Sequence, residues 1–391
     1  MKSPLDYDLV IAGAGFAGGI LALAAAQQGW RVALVDPRPA GANQDGRHLA
    51  LAWDNCRYLA QLGLWSGLQA HAAPVRRVEV SQQGSFGTLW LESQPLGVEA
   101  LGYVIPAPAL LRVLATRLQA TAGITLWHQA QVTQVWSATA TAQVHVTHPS
   151  GQVTWQTRLV VAADGAESSL RHQAHLGAQQ QDYGQTALLA GVSLAQDLAG
   201  VAYERFLRSG AIALLPVPDA NQATVIWSLP TLAAEALLDL DALTWGQRLQ
   251  AGLGRRVIVT GLTTMRQAYP LSLRWAPQQV QQRLLLLGNA AHTLHPLAAQ
   301  GLNLILRDIA ALAGLLQDRA DPGDATLLAR YQTQRHGPQR LTLGLTDRLA
   351  RGMVVPWNVP LRGVVINGLA LLPQRHWLAA VAGVPAARPL W

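Results

Sequence analysis

The hydrophobic pattern of this chain switches repeatedly between short unbroken apolar runs and helical spacing. Leu284 to Leu287 is one such run and stops at Gly288. After the loop Asn289–Ala299, apolar residues recur at Leu302, Ile305, Leu306, Ile309, Leu312 and Leu316. The run predicts a buried parallel strand, and the spacing predicts one face of a helix starting near Gln300. With Gly301 in its first turn, that helix can offer backbone N–H groups and the positive end of its dipole to an electron-rich partner.

The same alternation opens the chain. Tyr7 to Ala12 reads as a strand, an Ala/Leu-rich helix runs to Gln28, and a second strand, Arg31 to Val35, ends at Asp36. Further on, a hairpin is predicted from Arg76 to Glu92 around Gly84, and a helix from Ala109 to Ala120. A meander of short strands then leads from Ile124 to Trp155, followed by the strand Leu159–Ala163. From Gln185 to Leu229 the period is again two, a mixed stretch reaches Tyr269, and the chain from Thr326 onward is helical.

These elements predict an α/β fold in which a Rossmann-like domain is interleaved with an antiparallel-sheet domain, with a helical C-terminal segment. The Rossmann-like part takes residues 1–74, 101–183 and 271–325; the sheet domain takes 75–100 and 184–270; the C-terminal segment is 326–391.

Composition narrows the partners. Charged residues make up only 13% of the 391 and hydrophobic ones 50%, so the surface must be unusually apolar or rich in Gln, Thr and Ser. The net charge of +7 is carried by arginine, Lys2 being the only lysine, and favours anionic partners. No basic cluster interleaved with aromatics points to nucleic acid. Cys56, the only cysteine, excludes an intrachain disulfide and reads as a small core filler. Leu9–Trp30 is uncharged enough to pass for a signal peptide or a membrane span. However, Asp6 and Asp8 stand where a signal peptide needs positive charge, and glycines punctuate the segment.

Those glycines carry chemistry. Gly13, Gly15 and Gly18 form G-x-G-x-x-G between the first strand and its helix, with Asp36 ending the second strand. Gly13 permits a tight turn, Gly15 lets a pyrophosphate approach the backbone, Gly18 lets helix and strand pack closely, and Asp36 can accept from ribose hydroxyls. No second such motif follows a strand, so only one dinucleotide has its own cradle. His292 and His295 lie three apart without a cysteine or carboxylate cluster beside them, so we expect no metal. A serine hydrolase has no G-x-S-x-G to anchor it. Tyr203, Phe206 and Trp227 could line a substrate pocket, but aromatics on strands are core residues more often than ligand contacts.

Three motifs in this order, Gly13–Gly18, Asp164–Arg171 and Gly288–Asp308, resemble the FAD-dependent aromatic hydroxylases of the para-hydroxybenzoate hydroxylase fold. Within that fold, G-N-A-A-H-T-L-H-P-L-A-A-Q-G-L-N-L, D-Y-G-Q-T-A at Asp182–Ala187 and A-Y-E-R-F at Ala202–Phe206 resemble the ubiquinone-biosynthesis hydroxylases, most of all the 2-polyprenyl-6-methoxyphenol type. The resemblance implies noncovalent FAD, with NADPH or NADH as a transient donor and dioxygen as co-substrate. It implies that Gly13, Gly15, Gly18 and Asp36 hold the ADP half and that Arg47 pairs with the pyrophosphate. Asp164 would help hold FAD and meet the nicotinamide nucleotide, and Gly288 and Asn289 would adjoin the ribityl chain. Gln300, Gly301 and Asn303 would adjoin the flavin pyrimidine edge. Pro296 and His295 would lie between flavin and substrate, with no side chain acting as nucleophile. Asn289 stands where the wider family has Asp, and Ala299 where it usually has Gly.

The implied substrate is a lipophilic polyprenyl phenol. The implied setting is the cytoplasm, with peripheral contact to the inner face of the membrane or to other ubiquinone-biosynthesis proteins. Arg348, Arg351, Arg362, Arg375 and Arg388 lie among apolar residues with no acid between Arg348 and Trp391, as an interfacial segment would require. Two alternatives keep the fold: action on another aromatic or isoprenoid substrate, and a non-catalytic flavoprotein subunit.

Overall fold

The computed structural model describes residues 5–42, 45–84, 88–295, 300–317 and 321–354. Its first sheet runs, in spatial order, Val280–Gln281, Leu284–Leu286, Leu159–Ala162, Leu9–Ala12, Val32–Asp36 and Ile124–His128. Every pairing is parallel except that of the Val280–Gln281 edge. The inner strands bury all their residues because both faces are covered. Helices Phe16–Ala26, Ala107–Ala120 and Gln300–Leu316 pack on one face. The meander Gln131–Ser137, Ala142–His148 and Gly151–Thr157 packs on the other. The uncharged Leu9–Trp30 segment is therefore a core strand and a core helix.

The second sheet has nine strands and is built around the long strand Gln179–Leu194. Gln267–Trp275 flanks it on one side and Gln222–Pro230 on the other, followed by Gly210–Pro216, Val201–Leu207, Arg77–Gln82 and Thr88–Glu92. Val201–Leu207 pairs in parallel with Arg77–Gln82, so an early hairpin completes a sheet made mostly from later chain. That is the interleaving the sequence predicts. The mixed stretch after Leu229 contains helices Thr231–Leu238 and Ala242–Leu253, which cover the outer face of this sheet with Trp245 fully buried.

Between Asp45–Arg47 and the helix that carries Cys56 the chain forms one more strand. This strand, His48–Ala52, joins Gly102–Pro106 and Ala73–Val75 in a small sheet between the domains. The helix Trp53–Gln61 follows and buries Cys56, whose thiol pKa burial pushes well up, as suits a core residue. The C-terminal helix Ala325–Val354 lays Leu327, Leu328 and Tyr331 on the first core. The rest of the arginine-rich segment, residues 355–391, lies outside the described residues, as do Pro296 and Ala299.

Candidate active site

Gly13 adopts φ +101°, and a Cβ there would overlap the Ala163 carbonyl oxygen. Gly18 has the same need for another reason: its Cβ would overlap the carbonyl oxygen of Gly13. Around Gly15 there is nothing within 4 Å, so no protein atom accounts for the glycine there. The space lies at the start of the Phe16–Ala26 helix, where no side chain caps the backbone N–H groups, and it suits a pyrophosphate.

This opening belongs to a cleft of about 560 Å³ that Gly13, Gly15, Asp36, Arg47, Asp164 and Asn289 line together. Residues from four sequence-distant segments thus converge. Gly288 lies behind the cleft with φ +64°, and a Cβ there would come within 2.7 Å of Ala17. Of the helix beginning at Gln300, Leu302 and Ile305 line the cleft, while Gln300 is buried and Gly301 has open space beside it.

At one end the polar groups are already paired. Asp36 is buried and accepts from the Ala14 N–H at 2.7 Å and from the Arg38 backbone and guanidinium at 2.8–2.9 Å. Burial alone would raise its pKa, but Arg38 and the Ala14 N–H hold it below the usual carboxylate value. Arg47 forms a bidentate pair with Asp45 at 2.6 and 2.8 Å and stands 5.9 Å from the Tyr269 ring centroid. Neither Arg38 nor Asp45 was singled out by the sequence reading. Both are two residues from their partners, a spacing that a search for glycine motifs does not weigh.

At the other end polar groups are unspent. Asp164 Oδ2 accepts weakly from Ser169 Oγ and the Leu170 N–H, both at 3.3 Å, while its buried Oδ1 has no partner. The Asn289 side chain is exposed on the cleft wall. An orphaned carboxylate oxygen and an exposed amide along one wall fit the hydroxyls of a ribityl chain. The residues present therefore fit FAD.

Beneath this end lies a buried ionic network. His292 Nε2 is 2.6 Å from Asp308 Oδ2, and Asp308 also accepts from Arg335 Nε at 2.6 Å and Gln339 Nε2 at 3.0 Å. Arg171 reaches the Ala290 carbonyl at 2.9 Å and the Ala166 carbonyl at 2.8 Å, stapling the Asp164 motif to the loop after Gly288. His292 is thus spent on a carboxylate.

His295 is buried at the edge of the second sheet, 3.1 Å from Gln185 Oε1 and edge-on to Tyr183. Burial pushes its pKa down to about 4, so its ring is neutral at pH 7. Asn303 is buried. Its amide accepts from the Ala52 N–H and Asn55 Nδ2, both at 2.8 Å, and donates to the Ala50 carbonyl at 2.9 Å. These bonds tie the helix to the small sheet. Trp227 and Tyr203 take the core role: they pack on the helix-covered outer face of the second sheet, whereas Phe206 packs with the inner-face cluster.

Two interleaved sheets with a glycine-loop cleft at the ends of the parallel strands are the architecture of an FAD-binding protein, and the similarities to known proteins agree. A family model described as the FAD binding domain matches residues 6–342, and the chain belongs to that family. More particularly, it belongs with the ubiquinone-biosynthesis hydroxylases. It is 35% identical over 353 residues to the ubiquinone hydroxylase UbiL of Rhodospirillum rubrum, covering 88% of this chain and 81% of that protein. To the 3-demethoxyubiquinol 3-hydroxylase of Escherichia coli it is 31% identical over 343 residues, covering 84% and 85%. Among solved structures, PqsL of Pseudomonas aeruginosa matches with a TM-score of 0.79 at 21% identity, covering 93% of this chain and 99% of that one. Klebsiella pneumoniae HpxO, complexed with FAD and uric acid, matches at 0.74 and 18%, covering 98% of each. These two likenesses speak for the fold.

Proposed function

We infer that this chain is an FAD-dependent monooxygenase that uses NADPH or NADH and dioxygen to hydroxylate the ring of a polyprenylated phenol in ubiquinone biosynthesis. The observation that carries this is the single cleft in which Gly15, Asp164 and Asn289 leave space and unspent polar atoms for FAD, in a chain whose relatives hydroxylate ubiquinone precursors. When bound, the flavin supplies the redox and oxygen chemistry. The protein binds and orients: the glycine loop takes the pyrophosphate, Asp164 and Asn289 accept hydroxyls, and the Gln300 helix directs its positive end toward the pyrimidine edge. The inner face of the second sheet holds the ring and excludes water. His295, being neutral, adds no charge there.

One relative is a ubiquinone hydroxylase and the other a 3-demethoxyubiquinol 3-hydroxylase, so the 2-polyprenyl-6-methoxyphenol assignment is a narrower proposal resting on motif resemblance. Expression in cells lacking each ring-hydroxylation step, with product analysis by mass spectrometry, tests it. Restoration of one step identifies the position, and restoration of none rejects the reading.

No described helix is long and apolar enough to cross a membrane. Contact with the inner face of the membrane rests on the arginine and apolar pattern from Arg348 onward. Liposome flotation should then require anionic lipid and weaken with salt; flotation unchanged on truncation after Leu349 would reject that contact.

A further inference from the structure

The inner face of the second sheet carries one acid that the cofactor site does not use. Along Val201–Leu207, Tyr203 and Leu207 pack on the outer core, whereas Ala202 packs against Val75 and Val104, and Phe206 against Ala187 and Leu271. Alternation places Glu204 on the inner face, between Ala202 and Phe206. Across the strands its row reads Val80, Glu204, Ala213, Ile226 and Leu189. The next row, toward Gln185 and the His295 loop, contains Phe206, Ala211, Ser228 and Ala187. Small side chains at Ala213, Ala211, Ser228 and Ala187 stand among larger ones in these two rows, and Glu204 itself stays half-buried on this face.

No protein hydrogen bond or ion pair is found for the Glu204 carboxylate among the described residues, although those of its neighbours are spent. Glu79 meets Arg256 on the opposite face, and Arg205 donates to Gly252 and Ser81 there. On Glu204's own face the titratable side chains include His48, 2.8 Å from Thr224 Oγ1, and Tyr269, beneath Arg47; farther along it Tyr183 donates to Asp347, which Arg351 also holds, and stacks edge-on with His295. A partly buried acid without a partner is costly unless a ligand supplies one.

We propose that Glu204 is a catalytic residue that receives the hydroxyl proton of the phenol substrate during ring hydroxylation. The phenol O–H bond breaks, a carboxyl O–H bond forms, and the electron pair left on oxygen feeds the ring carbon that is to be hydroxylated. When product leaves, the carboxyl returns its proton to water. Burial, with no cation near enough to offset it, pushes the Glu204 pKa up to about 7, which makes it a better base than an ordinary carboxylate. This assignment rests on the phenol hydroxylase reading above.

The test uses FAD-loaded full chain, NADPH, dioxygen and a polyprenyl phenol. Wild-type kcat/KM should rise with pH through about 7. Glu204→Gln should keep its FAD absorbance, lose product formation by on the order of a hundredfold, and lose that acidic limb. Glu204→Asp should keep the limb at a reduced rate. A Glu204→Gln enzyme that turns over at the wild-type rate or retains the limb overturns the proposal, as does a wild-type profile that is flat through this range. Wild-type enzyme that hydroxylates no phenol would instead strike the functional reading and, through it, this one.

Discussion

The two ends of the cleft solve recognition differently. At the ADP end, Asp36 and Arg47 each hold an oppositely charged partner, Arg38 and Asp45, whose guanidinium or carboxylate lies within two residues. At the flavin end, Asp164 Oδ1 and the Asn289 amide hold none among the described residues, and the loop carrying Asn289 is fixed by the buried His292–Asp308–Arg335 network. Binding at the first end must exchange partners, so its net gain is small. At the second it satisfies atoms that folding left without partners, so its gain is larger.

The strongest test strikes the network under the flavin end. Asp308→Asn leaves Arg335 buried without its counter-charge and should cost about 3–5 kcal/mol in thermal unfolding. Burial alone would raise the Asp308 pKa, but His292 and Arg335 bring it below the ordinary value. A depressed carboxylate contributes stability that is fully present above its unfolded pKa, about 3.9, and is lost as pH falls further. Wild type should therefore lose stability in acid below that point, and the variant should show a shallower fall. Equal acid sensitivity would remove Asp308 from this role.

Asp164→Ala separates folding from binding. The variant removes the orphaned Oδ1 together with the two long bonds of Oδ2, so the cofactor-free chain should change little in stability, while FAD affinity drops by about 1.5–3 kcal/mol, the range for a hydrogen bond to a charged group. Fluorescence titration with FAD gives the second quantity; an unchanged affinity would mean that Oδ1 is not aimed at the ligand.

Partner exchange at the ADP end predicts effects of opposite sign. Arg47→Ala should weaken FAD by on the order of tenfold, and Asp45→Asn should tighten it modestly by releasing the guanidinium. If both weaken it equally, the pair acts as a unit and the exchange picture is wrong. The smallest effect is expected at Asn289, where an amide contributes a neutral hydrogen bond: Asn289→Asp should retain flavin, and Asn289→Leu should lose about 1 kcal/mol.

The contrast also explains what the sequence made legible. Gly13, Gly15, Gly18 and Asp36 could be read because a βαβ unit fixes their geometry within one continuous segment. The period-two pattern revealed the second sheet, but not which face each aromatic takes, since that depends on which strands flank it; hence Trp227 and Tyr203 point away from the site while Phe206 faces it. The tie of Asn303 to Ala50, Ala52 and Asn55 was not legible, because those partners are some 250 residues earlier and brought to it only by folding. Arg335 and Gln339, which hold Asp308, lie on a helix with no motif of its own.

The central claim is that the cleft and the inner face of the second sheet cooperate to insert one oxygen atom from dioxygen into a phenol ring. Turnover of the FAD-loaded protein with NADPH, a polyprenyl phenol and isotopically labelled dioxygen tests this most directly. The account predicts a product carrying one labelled oxygen on the ring, with NADPH consumption dependent on the phenol; label found only in hydrogen peroxide or water, with the phenol recovered unchanged, would contradict it.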